Sequence, residues 1–404
     1  MSSSEGLIME KFGGDLSDFW RFDILPPVHR LSWWWWWVLV LLPDPNNPGR
    51  SKQLMVLWSS KDTSAIRVSG HWWIPGASRR IDDHGGHTMS GMVCAWWYDG
   101  ENMFEPLLMK ECKMVSIDDK HPLWPGDKGG IGEGGGAVVP ITSEDLSFGL
   151  RSNRESFWVN LSSDLKMIKK GAPSKFSLEM TPWWKNPSTA TYKNNVYAMN
   201  MGYDIMRIHG TKAVLEIDGE KFEGTAYIQK VGVQAPSLPW FWGFLQFDDG
   251  SYLDWFMPHA SPSFTMKDDQ PWSMRDFFRW PNIGSGIFHD FKRNRTEHFK
   301  RCTVELAKQE GKDILRDERG NILPLFRIKI WNGRTQISIH VRATNRARWT
   351  FDQPTRAGFV SHLTYNEYPL EVVKIAILDE NGLRTGDDYE WMRGNAEHSW
   401  GILN

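Results

Sequence analysis

The stretch whose reading decides the fold runs from Phe222 to Ala260, FEGTAYIQKVGVQAPSLPWFWGFLQFDDGSYLDWFMPHA. The apolar run Val214 to Ile217 reaches the turn pair Asp218-Gly219, and Phe222 to Val233 follows it. Trp242 to Phe247 ends on Asp248-Asp249-Gly250, and Tyr252 to Met257 returns. Runs rich in β-branched and aromatic residues, joined by Asp-Gly, predict hairpins, because glycine supplies the positive φ that tight hairpin turns require. Outward from this stretch the pattern repeats. Gln336 to Ala343 alternates Ile337, Ile339 and Val341 against Ser338, His340 and Arg342, and Leu325 to Trp331 sets Phe326, Ile328 and Ile330 against Arg327 and Lys329. Serial hairpins at short spacing predict an all-β meander, a sandwich or barrel. Helical patterning is sparse: Asn294 to Glu310 reads as helix or strand, and Asp145 to Arg151 as one short helix.

Composition sharpens this. The chain of 404 residues holds 24 Trp, far more than a β core needs, so the rings are read either as core or as the wall of a cavity. Trp33 to Leu42 is a ten-residue apolar run, too short to span a bilayer as a helix and expected to be a buried strand. A net charge of -2 without a basic block points away from nucleic acid. Cys94, Cys112 and Cys302 lack metal or disulfide spacing, and Met1 to Asp18 lacks an apolar signal core. Together these lead us to expect a cytoplasmic protein without an integral membrane span. Peripheral access to membrane lipids stays open.

Three local patterns are set aside. The glycine run Gly129 to Gly136 spells a GxGxxG-like motif, but Pro122 and Pro125 precede it and Pro140 follows. It therefore lacks the strand and helix a dinucleotide needs and reads as a flexible, lid-like loop within Asp118 to Ala137. His84 and His87 lie beside Asp82 and Asp83, with His71 upstream, but without a helical scaffold. A polar turn in the loop Asp82 to Ser90 is preferred to a metal site. No GxSxG elbow is present.

The motif hairpin resembles the lipocalin-like superfamily of the carotenoid hydratases (hydroxyneurosporene synthases), related secreted-hydrolase-annotated proteins and lipocalin-like Diels–Alderases. The residues that carry the resemblance are Gly224, Tyr227, Trp240-Phe-Trp242, Leu245-Gln-Phe-Asp-Asp-Gly250 and Leu253 to Met257, with Gly394-Asn-Ala-Glu397 near the C-terminus. It covers about a tenth of the chain. It implies two antiparallel β-barrels or half-barrels in tandem, with few short helices, divided here as 1–265 and 266–404. It also implies an apolar substrate and no cofactor. In the hydratases an Asp of this motif is the implied proton donor to an isolated alkene. Here Gln229 stands in that place, with Lys230 where His or Arg is usual, and Gln cannot deliver a proton.

The reading that follows is a Trp-rich barrel cavity enclosing a bulky apolar molecule, an isoprenoid or polyene, with cofactor-free hydration, cyclisation or isomerisation. Trp240, Trp242 and Trp255 are expected to wall the pocket with Phe244, Tyr252 and His259. Tyr227 and Gln229 are expected to point into the lumen and orient the substrate, which puts Lys230 on the outer wall or between the barrels. Asp254 is the first candidate acid, with Glu397 and Glu367 as alternatives, since protonating an alkene needs a carboxyl whose pKa is raised by apolar surroundings. A non-catalytic lipid or pigment carrier is the alternative that the missing motif Asp favours.

Overall fold

The structure, a computed structural model, describes residues 19, 28–75, 80–116, 122, 137–140, 146–150, 156–165, 169–183, 190–196, 201–259, 284–311, 313–355 and 361–403. In chain order its strands begin β1 (Ser32–Pro43), β2 (Ser51–Lys61), β3 (Ile66–Val68), β4 (His71–Trp73), β5 (Arg80–Ile81), β6 (His87–Tyr98), β7 (Met103–Ser116) and β8 (Ala137–Pro140). They continue with β9 (Ser147–Leu150), β10 (Phe157–Ser162), β11 (Lys175–Pro182), β12 (Ala190–Val196), β13 (Gly202–Ile217), β14 (Glu220–Gln234), β15 (Trp240–Phe247) and β16 (Tyr252–Pro258). The last are β17 (Ser285–Asp290), β18 (Arg295–Phe299), β19 (Cys302–Lys308), β20 (Pro324–Trp331), β21 (Gln336–Ala343), β22 (Ala347–Asp352), β23 (His362–Asp379), β24 (Gly382–Thr385) and β25 (Met392–Ile402). Among the described residues there is no α-helix.

Two antiparallel sheets result. The first follows the order β11-β10-β9-β8-β7-β6-β2-β1-β14-β13-β12, and β11 also pairs with β13, which joins the path into a ring. The second runs β18-β17-β16-β15-β25-β23-β21-β20-β19, with β22, β24, β3 and β4 at its side. It curls until β19 approaches β16, where the Val304 N–H lies 3.2 Å from the Met257 sulfur. After an early excursion of β3 and β4 to the second sheet, the chain passes to that sheet for good between Gln234 and Trp240. The boundary read at 265 lies outside the described residues, as do residues 126–136 of the glycine-rich loop.

The uninterrupted apolar run of β1 is explained by burial on both faces. Trp34, Trp36, Val38, Val40 and Leu42 fill the ring of the first sheet together with Trp58, Trp97, Phe148 and Phe157. Trp33, Trp37, Leu39 and Leu41, on the other face, pack against Trp242, Phe244, Tyr252 and Trp349 of the second sheet. A strand covered on both sides loses the apolar–polar alternation of a half-exposed one. A third cluster, with Phe241, Leu245, Trp255 and Ile339, fills the curl of the second sheet. The molecule therefore has two barrel-like interiors and a buried aromatic layer between them. β20 and β21 keep alternation because their other face meets solvent: Phe326, Ile328 and Ile330 are buried, and Arg327 and Lys329 exposed.

Three expectations are corrected here, and one left open is decided. Residues 147–150, read as helix, form β9, whose neighbours β8 and β10 take up its backbone groups; Phe148 stacks on Trp58 at 4.8 Å. Asn294 to Glu310, read as helix or strand, forms the strands β18 and β19. Tyr227 and Gln229 do not enter a lumen: Tyr227 lies in the layer between the sheets, while its neighbour Ile228 fills the ring. Lys230, placed at an outer wall or between the barrels, instead shares the face of Ile228 and is bonded inside the ring to Asp204. The one-residue parity of a strand decides all of this, and a face buried either way leaves no polar mark of which side it meets.

Candidate functional site

The candidate site is the layer between the two sheets. β13 and β14 of the first sheet contribute Arg207, His209, Tyr227 and Gln229; β1, β2 and β6 add Trp33, Trp37, Lys61 and Trp96. The second sheet answers with Trp240, Trp242 and Phe244 on β15, Tyr252 and Asp254 on β16, Tyr365 and Glu367 on β23, and Glu397 on β25.

At its centre two carboxyl groups face each other. Glu367 and Glu397 are paired residues of β23 and β25. Each of their four oxygens receives a donor: Trp37 Nε1 to Glu367 Oε1 at 3.3 Å, Trp96 Nε1 to Glu367 Oε2 at 3.1 Å, Trp240 Nε1 to Glu397 Oε2 at 2.8 Å, and Tyr365 Oη to Glu397 Oε1 at 2.7 Å. Burial raises Glu397 to about 7, against the lowering pull of Trp240, Tyr365 and Arg207. Burial, reinforced by the charge of Glu397, pushes Glu367 well above the carboxylate range. Taking a carboxylate out of water disfavours its charged form, and a second carboxylate beside it disfavours it further. The pair therefore holds a proton near neutral pH. Burial and the two glutamates also push Tyr365 up, so its phenol stays a neutral donor.

Beside this pair lies a charged cluster. Arg207 Nη1 is 3.2 Å from Asp254 Oδ2, and His209 Nε2 is 3.3 Å from the same oxygen. Burial works against the Arg207 charge, but Asp254, Tyr227 and Glu397 outweigh it and raise the group. His209 lies flat on Tyr252, ring centroids 4.3 Å apart at 4°. Tyr227 donates its hydroxyl to Gln229 Oε1 at 3.1 Å, and burial pushes its phenol well above 10. Trp37, Tyr227, Trp242 and Phe244 form a continuous set of ring contacts, with Trp37 and Trp242 edge to face at 5.2 Å and Tyr227 and Phe244 at 4.7 Å.

The architecture is all-β, two antiparallel sheets with a buried layer between them. Among solved structures, the chain is similar to a putative AttH from Nitrosomonas europaea, with a TM-score of 0.46 and 12% identity over 95% of both chains. It is also similar to CghA, crystallised with Sch210972, at 0.44 and 11% over 93% of this chain and 89% of that one. Kievitone hydratase from Nectria haematococca gives 0.40 and 11% over 94% of each. These are likenesses of fold. No protein-family profile and no curated protein sequence matches the chain. Among the described residues no helix is long and apolar enough to cross a membrane.

The structure brings Tyr227, Gln229, Trp240, Trp242, Phe244, Tyr252, Asp254 and Glu397 into one layer, together with Glu367. It separates two of the expected residues. Trp255 faces the curl of the second sheet, its ring over the bare Cα of Gly243. His259 stacks on Phe241 at 4.8 Å on that same side, buried rather than at a rim. The turn at Asp82 is polar as its letters read: its carboxylate accepts the N–H groups of His84 and Gly86, each at 2.9 Å. Sequence reading missed Arg207 and His209. Their signal was Met206-Arg-Ile-His209, where basic residues alternate with apolar ones on a stretch of β13 that is buried on both faces.

Proposed function

We propose that the layer between the sheets binds a bulky apolar molecule and that Glu397 protonates it, driving hydration, cyclisation or isomerisation of an alkene without a cofactor. The observation that carries this reading is the opposed Glu367–Glu397 pair, buried among indoles and raised to where a carboxyl keeps its proton at neutral pH. An alkene is a weak base, and a general acid serves it when its pKa lies near the working pH. Glu397 takes the role that Gln229 cannot fill. Trp37, Trp240 and Trp242 present ring faces and edges to the layer, and an electron-rich ring face stabilises developing positive charge. Asp254 is assigned a different part from the acid first expected of it. The Arg207 guanidinium faces it, so it holds Arg207 and His209 in place while Tyr227 and Gln229 orient the bound molecule.

Incubation of the purified protein with isoprenoid and polyene substrates, followed by product analysis, tests the reading. Conversion that is lost in Glu397→Gln, with binding retained, supports it. Gln229 at the position of the hydratase acid favours a second reading, a carrier for a lipid or pigment; retention of unchanged ligand by both proteins would establish that one and exclude catalysis.

A further inference from the structure

The layer contains polar groups that the proton-transfer reading does not use. Trp33, Trp73, Trp242 and Trp349 all belong to it, each at most 7% exposed, and the indole nitrogen of each is buried without a hydrogen-bond partner among the described residues. Other buried indoles of the chain do find acceptors. Trp37, Trp96 and Trp240 donate to the two glutamates, and Trp36 donates to the Phe19 carbonyl at 2.8 Å. Of the other buried indole nitrogens without a partner, Trp58 lies in the ring of the first sheet and Trp400 lies next to His398. A buried N–H left unpaired costs about 1–3 kcal/mol, and folded proteins carry few of them. Four in one layer form a concentration that packing does not explain.

Two of them adjoin the glutamate pair, and a third lies further along the same layer. Trp242 is the register partner of Glu397 across β15 and β25. Trp349 is the register partner of Tyr365, which donates to Glu397. Trp33 lies 5.2 Å from Phe351, two residues beyond Trp349 on the same strand face. We propose that these indole N–H groups read oxygen acceptors on the ligand, so that the molecule bound between the sheets is a bulky apolar skeleton carrying neutral ketone or ester oxygens rather than a pure hydrocarbon. A hydrocarbon leaves the donors unpaired; a carbonyl oxygen satisfies them. The acceptor is neutral because the surroundings oppose an anion. The carboxyl pair stands beside the donors, and the guanidinium nearest to it is already engaged by Asp254. Trp33, Trp242 and Trp349 thus become specificity-determining residues. The inference rests on the binding reading above and narrows its substrate class.

Matched hydrocarbon–ketone pairs of increasing size separate the two ideas: farnesane with farnesylacetone, cholestane with cholestan-3-one, and β-carotene with canthaxanthin. Affinity is read from quenching of intrinsic tryptophan fluorescence in the full chain, with far-UV circular dichroism checking the fold of each variant. The expected result is at least one pair in which the ketone binds about tenfold more tightly than its hydrocarbon, the scale of a hydrogen bond gained by a buried donor. That ratio shrinks toward one in Trp242→Phe or Trp349→Phe, which keep an aromatic ring and lose the N–H. Equal affinity within every binding pair, or a ratio unchanged in both variants and in Trp33→Phe, overturns the inference and leaves the binding reading standing. Failure of every probe to bind overturns the binding reading and this inference with it.

Discussion

Glu367 and Glu397 stand directly opposite each other on neighbouring antiparallel strands, and both side chains are buried in the layer between the sheets. Like charges directly across a ladder are unfavourable. The arrangement persists because three indoles and the Tyr365 phenol supply donors to all four oxygens, and because burial keeps a proton on the pair. It is the least expected feature of a fold otherwise held by apolar packing.

The first prediction concerns acidity. If Glu397 must be protonated to act, turnover falls as pH rises through about 7, and Glu397→Gln lowers the rate by about 10²–10⁴-fold, the usual contribution of a positioned acid. The linkage has a definite sign. The folded chain holds a proton up to about 7 that the unfolded chain releases near 4.5, so stability from this group falls as pH rises between those values. Urea unfolding of the wild type and Glu397→Gln at pH 4.5 and pH 7.5 checks it: the variant gains relative stability at the higher pH. A variant that loses ground there contradicts the assignment.

The second concerns the charged cluster. Asp254→Leu leaves Arg207 buried without its carboxylate, and removing one member of a buried ion pair costs about 3–5 kcal/mol. Adding Arg207→Met restores much of that loss, since a buried pair is often replaceable by apolar residues of similar volume. Chemical denaturation of the two single variants and the double variant gives the coupling. If the double variant is as unstable as the sum of the singles, the pair is not coupled and the cluster is misread.

Much of the fold was legible because turn chemistry is local. Asp218 and Gly219 adopt φ of 49° and 95°, and Gly250 adopts 87°, as the Asp-Gly letters predicted. Each turn then fixes the register of its hairpin. The alternation of β20 and β21 was equally readable, because one of their faces meets water. What could not be read was the destination of each face in β1, β14, β15 and β16. Ile228 and Tyr227, or Trp255 and Asp254, are neighbours that go to different buried compartments, and hydropathy does not distinguish one interior from another. That ambiguity put Trp255 on the wrong side and Lys230 outside the ring. It left Arg207 and His209 unnoticed, since their role follows from Asp254, 47 and 45 residues away in the chain.

The third prediction tests the close packing behind the site. A Cβ at Gly243 would lie 2.0 Å from Trp255 Cζ2 and 2.4 Å from Cε2, closer than any real contact. Gly243 is paired with Trp255 across the ladder, so the ring uses the space a side chain would take. Gly243→Ala is expected to destabilise the chain by about 1–3 kcal/mol through overpacking, and Trp255→Leu combined with it should recover part of the loss. A thermal midpoint unchanged by Gly243→Ala would show that the indole moves freely and that the curl of the second sheet is loosely filled.

The last prediction concerns Lys61, a cation placed where water is excluded. Its ammonium sits over the Trp33 ring, 5.3 Å from the centroid, and donates to the Arg30 carbonyl at 2.5 Å. Burial, with the charge of Arg30 adding to it, lowers its pKa from 10.5 to about 7, and Asp62 only partly compensates. The sign follows from proton binding. Between about 7 and 10.5 the unfolded chain holds a proton that the folded chain has released, so stability from this group rises with pH across that window. Below about 7 the ammonium is charged in both states and the full burial penalty, a few kcal/mol, is present. Lys61→Met should therefore stabilise the chain at pH 6 and lose that advantage as pH approaches 10.5. Unfolding by urea at pH 6, 8 and 10 measures the difference. A methionine variant that is less stable at pH 6, or whose advantage does not change with pH, would show that the ammonium is better solvated than its place between Trp33 and Arg30 implies.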